Sequence, residues 1–275
     1  MSYMQFNPSF RLKNIHKILI LLSSVILVLL IVIFYPKEQK SFIIKRYNPK
    51  TKATHTINCQ IRGNDTILNG PSTVNNKKGV KIAEGNFVND QTYGKWNYYS
   101  DNGKIEGTLF LSKNNLIAEG IWYYLSGKIK KYVLYDEFGE EVFRIKYDEK
   151  GNVLSYNGWP LLEIYQYKIS NPERFKKKKI KININQFLKI GNVLKYQYLM
   201  PNLPFALRDF KIESVNSHDI NIKRVTTKKP PAIINVEETL LKKGIHSITA
   251  IVKYEFNDIE KTVINDTLAF TVEVH

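Results

Sequence analysis

Glycine recurs at a fixed interval through the middle of this chain. It stands at Gly79, Gly103, Gly127, Gly139 and Gly151, always 12 or 24 residues apart. The skipped positions are Gln91 and Asn115. Asparagine is among the few side chains that tolerate positive φ, so Asn115 is a natural substitute for glycine. Four residues before the successive beats stand Phe87, Tyr99, Leu111, Tyr123, Tyr135 and Tyr147. Each unit is therefore an aromatic or aliphatic residue, a polar turn ending in glycine, and a short apolar stretch. A period of 12 leaves about seven or eight residues outside the turn, enough for a strand and too few for a helix with its connections. The pattern predicts an antiparallel β-meander of about six or seven strands, with Gly79, Gly103, Asn115, Gly127, Gly139 and Gly151 as its turn residues. Because 12 is even, equivalent positions in successive units point to the same kind of face.

A longer unit overlies the short one. Gly94, Trp96, Tyr98 and Tyr99 precede Gly103-Lys104-Ile105, and Gly120, Trp122, Tyr123 and Tyr124 precede Gly127-Lys128-Ile129. These residues resemble the bacterial MORN-like variant repeat of the YwqK type, over roughly residues 79–158. The resemblance implies stacked β-hairpins in one elongated sheet. It also brings an association with antitoxin components and, in related repeats, with membranes and proteins. Trp96, Tyr98, Tyr99, Trp122, Tyr123 and Tyr124 have two readings. They are cross-strand pairs that hold a thin sheet together, or a partner-binding aromatic stripe. Trp96 and Tyr98 share one face of their strand, and Tyr99 points to the other.

Residues 18–35 are an uncharged apolar run of 18 residues. As a helix they would rise about 27 Å, close to the hydrocarbon thickness of a bilayer. Arg11, Lys13 and Lys17 precede the run, and Tyr35, Pro36 and Lys37 end it. A cleaved signal peptide would be shorter and would end in small residues, so an uncleaved anchor is the preferred reading. Lysines flank both ends, and orientation rests on the short basic N-terminal tail, which suits the cytoplasm.

After residue 171 the rhythm stops. Extended segments are expected at 180–184, 193–199, 210–215, 220–224, 232–236, 246–256 and 267–274, separated by prolines and by Gly244. The alternation from Gly244 to Tyr254 and the closing 270–274 segment resemble the last strands of bacterial immunoglobulin-like domains. The resulting organisation is a short basic cytoplasmic tail (1–17), a transmembrane anchor (18–35), a juxtamembrane linker with first strands (36–70), a MORN-like repeat sheet (71–168), a linker (169–179) and an immunoglobulin-like β-sandwich (180–275). The fold class is all-β outside one N-terminal transmembrane helix.

Composition narrows the chemistry. A single cysteine, Cys59, excludes a disulfide scaffold and a cysteine-based zinc site. The net charge of +16 is mostly scattered lysine, without the arginine clusters and interleaved aromatics of a nucleic-acid site. The histidines at 16, 55, 218, 246 and 275 have no ligand spacing. Asp136, Glu137, Glu140, Glu141, Asp148 and Glu149 gather around two turns but lack a calcium-loop pattern. No nucleophile-elbow, P-loop, zinc-protease or dinucleotide motif is present. No cofactor, metal or catalytic residue is assigned. The expectation is a non-enzymatic, single-pass protein of a bacterial cell membrane, its C-terminal domains on the extracytoplasmic, periplasmic side. It would bind a protein or cell-envelope partner through the repeat sheet and the sandwich. A toxin-neutralising partner protein is the alternative, and a glycan-active enzyme the remote one.

Overall fold

The computed structural model describes residues 41–112, 115–165, 188–215 and 223–275, together with Ser23 and Leu27, both helical and exposed. The rest of the 18–35 run, the basic tail, the 169–179 linker and the strand expected at 180–184 lie outside the described residues. Among the described residues no helix is long and apolar enough to cross a membrane.

Ten strands form one antiparallel sheet in strict chain order: β1 (Ser41–Asn48), β2 (Ala53–Arg62), β3 (Asp65–Asn75), β4 (Lys81–Val88), β5 (Gln91–Tyr99), β6 (Ile105–Leu111), β7 (Ile117–Tyr123), β8 (Ile129–Tyr135), β9 (Glu141–Tyr147) and β10 (Val153–Gly158). The count exceeds six or seven because three strands precede the glycine rhythm. From β6 to β9 each strand has 7 residues, and the connections between them have five, which gives the period of 12.

Five of the connections share one hydrogen-bond pattern. At the turn before β6, the Ser100 amide donates to the Lys104 carbonyl and the Gly103 amide to the Ser100 carbonyl, both at 2.8 Å. The turns opening at Asn76, Tyr124, Asp136 and Asp148 repeat both bonds. This is a type I turn closed by a residue in the left-handed region, the three-residue hairpin loop with its bulge. Gly79, Gly103, Gly127, Gly139 and Gly151 take φ of 79°, 80°, 83°, 77° and 93°, and Asn115 takes 60°. Where the first turn residue is Asp or Asn, its side chain serves the loop too: Asp136 Oδ1 accepts from the Phe138 and Glu140 amides at 2.9 and 3.0 Å. Gln91 carries no turn. The loop there has moved upstream onto Asn89 and Asp90, at φ 49° and 67°, a two-residue connection of the kind that matches strand twist.

Register defines two faces. One continuous back-face row runs Lys45, Thr56, Thr73, Glu84, Asn97, Thr108, Ile121, Tyr132, Ile145 and Tyr156, from β1 to β10. It is polar through β6 and apolar from β7. The change marks where the rest of the chain packs.

That remainder is a pair of sheets. One joins β11 (Leu162–Tyr165), β12 (Val193–Leu199), β15 (Ile233–Thr239) and β14 (Arg224–Lys229), in that order. The other joins β13 (Ala206–Val215), β16 (Gly244–Phe256) and β17 (Val263–Val274). The strand β11 falls in a segment that the sequence places in the repeat sheet. Alternation along β16 and β17 buries Ile248, Ala250, Val252, Phe270 and Val272 between the sheets, where Tyr196 of β12 meets Phe270 edge-on at 5.2 Å. Tyr132, Leu134, Phe143, Ile145 and Tyr147 of the long sheet belong to the same core. Tyr147 packs edge-on against Phe205 at 5.5 Å and donates its hydroxyl to the Pro204 carbonyl. Burial of each such large side chain contributes roughly 1.5–3 kcal/mol, so these five positions weld the sheet to the two-sheet unit.

Candidate functional site

The opposite, front face of the long sheet carries most of the residues that the sequence singles out. Its central row runs Arg46, His55, Val74, Ala83, Tyr98, Gly107, Trp122, Lys131, Lys146 and Ser155. Trp96 lies on this face one step along β5 and is 5% exposed. Its indole lies flat on Gly85 of β4, where an added Cβ would stand 2.2 Å from Trp96 Cδ2. Phe87 meets the ring edge-on at 5.7 Å, and Nε1 donates to the Asn86 carbonyl at 3.3 Å. Glycine at 85 is therefore the seat of Trp96, a close approach that a side chain would block.

Trp122 makes the opposite choice. Its ring leans along its own strand onto Gly120, where an added Cβ would meet Trp122 Cη2 at 2.5 Å. At Gly107, across from it, an added Cβ would meet the pyrrole edge of Trp122 only at ordinary contact distance, 3.7 Å from Cδ1. Lys131 Nζ sits 3.9 Å from the Trp122 ring centroid, within cation–π range. The Lys131 amine is held below its ordinary pKa by burial first, then by the nearby Arg144, with Glu141 opposing. Tyr98 is 37% exposed. Tyr98, Trp122, Lys131 and Lys146 thus form an accessible aromatic and cationic strip across β5–β9.

The other three aromatics are engaged elsewhere. Tyr99 points to the back face, where its hydroxyl donates to Glu84 Oε1 beside Asn97. Lys81 pairs with the same carboxylate at 2.7 Å. The Glu84 carboxyl is drawn down to about 2 by these donors, Lys81 foremost. The Tyr123 hydroxyl lies 3.3 Å from Thr108 Oγ1, which donates on to Asn97 Oδ1 at 3.0 Å. Tyr124 donates to the Tyr147 carbonyl at 2.8 Å. These rings close a polar ladder along the uncovered back of the sheet.

Three carboxylates stand out in the structure without any motif to announce them. Glu119 accepts from Tyr132 at 2.6 Å, and Tyr132 in turn accepts from the Asn202 amide at 3.0 Å, which ties β7 and β8 to the two-sheet unit. Burial pushes the Glu119 carboxyl up. Glu238 is buried with Arg224 at 2.9 Å and the Tyr196 hydroxyl at 3.0 Å. Glu163 of β11 is 3% exposed, leaves Oε1 without a partner, and is pushed up to about 8 by burial. Glu119 stands apart, whereas Glu163 and Glu238 both lie near the buried Tyr196–Tyr198 pair. Asp136 and Asp148 spend their carboxylates on turn amides, and among the described residues no three His, Cys, Asp or Glu gather to hold a metal ion. Cys59 is buried on β2.

Two clefts lie away from the strip. A groove of about 390 Å³ opens between β13 and β14, lined by Arg208, Phe210, Ile212, Arg224, Lys228 and Ile234. A smaller one of about 290 Å³ lies at the junction of the β9–β10 turn with Phe205, Phe256 and Asp258. Neither groove holds any of the six aromatics that the sequence singles out. No protein-family model matches the chain, and no curated protein is significantly similar to it.

Proposed function

We propose that this chain is a non-enzymatic, membrane-anchored envelope protein that binds a protein or cell-envelope partner through the front face of its long sheet. One observation carries the reading. The two-sheet unit covers the back face at β8 and β9, while on the front face Tyr98 is exposed and, among the described residues, Lys131 and Lys146 form no ion pair. A half-exposed aromatic loses little side-chain entropy on contact and buries a large area, and neighbouring cations favour an acidic partner. The turn-and-strand unit of 12 residues, with Trp seated on Gly, supports kinship with MORN-like repeats. The strand orders β11-β12-β15-β14 and β13-β16-β17 support an immunoglobulin-like assignment, since they reproduce the ABED and CFG sheets of the constant-type domain. Residues 18–35 would supply the anchor and place the β-structure outside the cytoplasm.

The test compares the detergent-extracted full-length chain with Tyr98→Ser and Lys131→Glu variants in affinity capture, followed by mass spectrometry. A specific partner retained by the parent and lost by both variants, with unchanged melting, supports the reading. Equal recovery of every partner by all three proteins overturns it.

A further inference from the structure

The first hairpin has a character of its own. From Ser41 to Asn64 the chain carries Lys45, Arg46, Lys50, Lys52 and Arg62 and no acidic residue. Among the described residues none of these cations forms an ion pair. The strand β1 is one edge of the ten-stranded sheet, with β2 its one strand partner among the described residues. All but one of its residues are exposed, including Ile43 at 63% and Tyr47 at 62%. Lysine and arginine on an edge strand discourage pairing with another strand, while the exposed Ile43 and Tyr47 invite an apolar contact, so the combination suits a charged interface better than a second sheet.

Chain length decides what lies against it. Five residues, 36–40, separate the apolar run from Ser41. Even fully extended they reach at most about 20 Å, of which the headgroup layer itself takes roughly 5–8 Å. The remaining reach is comparable to the Debye length of about 8–10 Å, so the cations of the hairpin stay in the field of an anionic surface.

We infer that the β1–β2 hairpin docks on the anionic lipid headgroups of the membrane that holds the chain. Ile43 and Tyr47 enter the interface, and Lys45, Arg46, Lys50 and Lys52 lie over the phosphates. This rests on the anchor reading of residues 18–35. Docking would fix the long sheet relative to the bilayer and set the direction in which its front face looks.

The test uses the full-length chain in nanodiscs of phosphatidylcholine alone or mixed with phosphatidylglycerol. An environment-sensitive label is placed by Ile43→Cys, with Phe138→Cys on a distant turn as control. Cys59 is buried and stays unlabelled. Headgroup-depth doxyl lipids should quench the label at 43 only in the anionic discs, and high salt should release it. Each single change to Gln at Lys45, Arg46, Lys50 or Lys52 should lower the docked-to-free ratio about fivefold. Equal quenching at 43 and 138, or none at 43, overturns the inference. Shielding of position 43 in neutral discs as well would mean that the edge has paired with protein, and also overturns it. Alkaline carbonate extraction of the same samples reports on the anchor separately. If the chain is released, sedimentation with anionic vesicles that is lost in the four-site Gln variant would keep the docking surface, and absence of sedimentation would remove it.

Discussion

The buried Glu163 gives the sharpest test of the packing at the start of the two-sheet unit. Its carboxyl has an ordinary value of 4.5 in the unfolded chain and is pushed up to about 8 in the fold by burial. A folded state that holds a proton more tightly than the unfolded state is most stable where both are protonated. The contribution is therefore fully present below pH about 4.5, shrinks as pH rises, and is lost above about pH 8. The interval of about 3.5 pH units, at 1.36 kcal/mol each, amounts to about 4–5 kcal/mol. Structural relaxation and entering water will reduce this, so a loss of at least about 2 kcal/mol is expected. Glu163→Gln removes the charge and keeps the shape. The assay is urea unfolding of parent and variant at about pH 5 and about pH 9, followed by far-ultraviolet circular dichroism. The quantity of interest is the difference in pH dependence, which cancels the fixed cost of burying an amide. Parent and variant should diverge as pH rises, the parent weakening more. If the two pH dependences agree within about 1 kcal/mol, Glu163 ionises in a solvated setting and the buried placement of β11 is wrong.

Three further expectations concern the long sheet. Trp96→Ala should cost roughly 3–5 kcal/mol, whereas Tyr98→Ala should cost under about 1 kcal/mol, as read by thermal unfolding; equal costs would deny the difference in burial. Gly85→Ala should destabilise by about 1–3 kcal/mol in the parent and almost not at all in a Trp96→Ala background, since the clash needs both partners; additivity in that double-mutant cycle would refute the seat. Glu84, whose carboxyl is drawn down to about 2, contributes stability that is present above pH 4.5 and lost as pH falls towards 2; Glu84→Gln should abolish that acid sensitivity, and an unchanged acid profile would show that Lys81 and Tyr99 do not hold it.

The meander was legible because its cause is local. A five-residue turn needs a residue at positive φ in one place, and a seven-residue strand follows, so Gly79, Gly103, Asn115, Gly127, Gly139 and Gly151 announce the sheet without help from distant contacts. The missing beat at Gln91 has the same explanation, since Asn89-Asp90 forms the loop two residues earlier. The strands β1–β3 carry no such rhythm, so the period of 12 does not announce them. In the two-sheet unit the long alternation of β16 and β17 is plain in the sequence, while four-residue β11 is too short to carry a period.

The fates of the six aromatics were decided by tertiary structure alone. Sequence gives Trp96 and Trp122 the same neighbours, a glycine two residues back and a glycine across the sheet. Rotamer choice then buries Trp96 on Gly85 and leaves Trp122 on Gly120 beneath Lys131. Which face is left open is likewise non-local. Ile121, Tyr132 and Ile145 are apolar because the two-sheet unit covers them, and nothing in the repeat itself records that cover. Periodicity fixes strands, turns and the alternation of faces, since those depend on neighbours in the chain. Burial of a face, of Glu163 or of Trp96 depends on what the rest of the chain brings to it, and that is set only when distant segments meet.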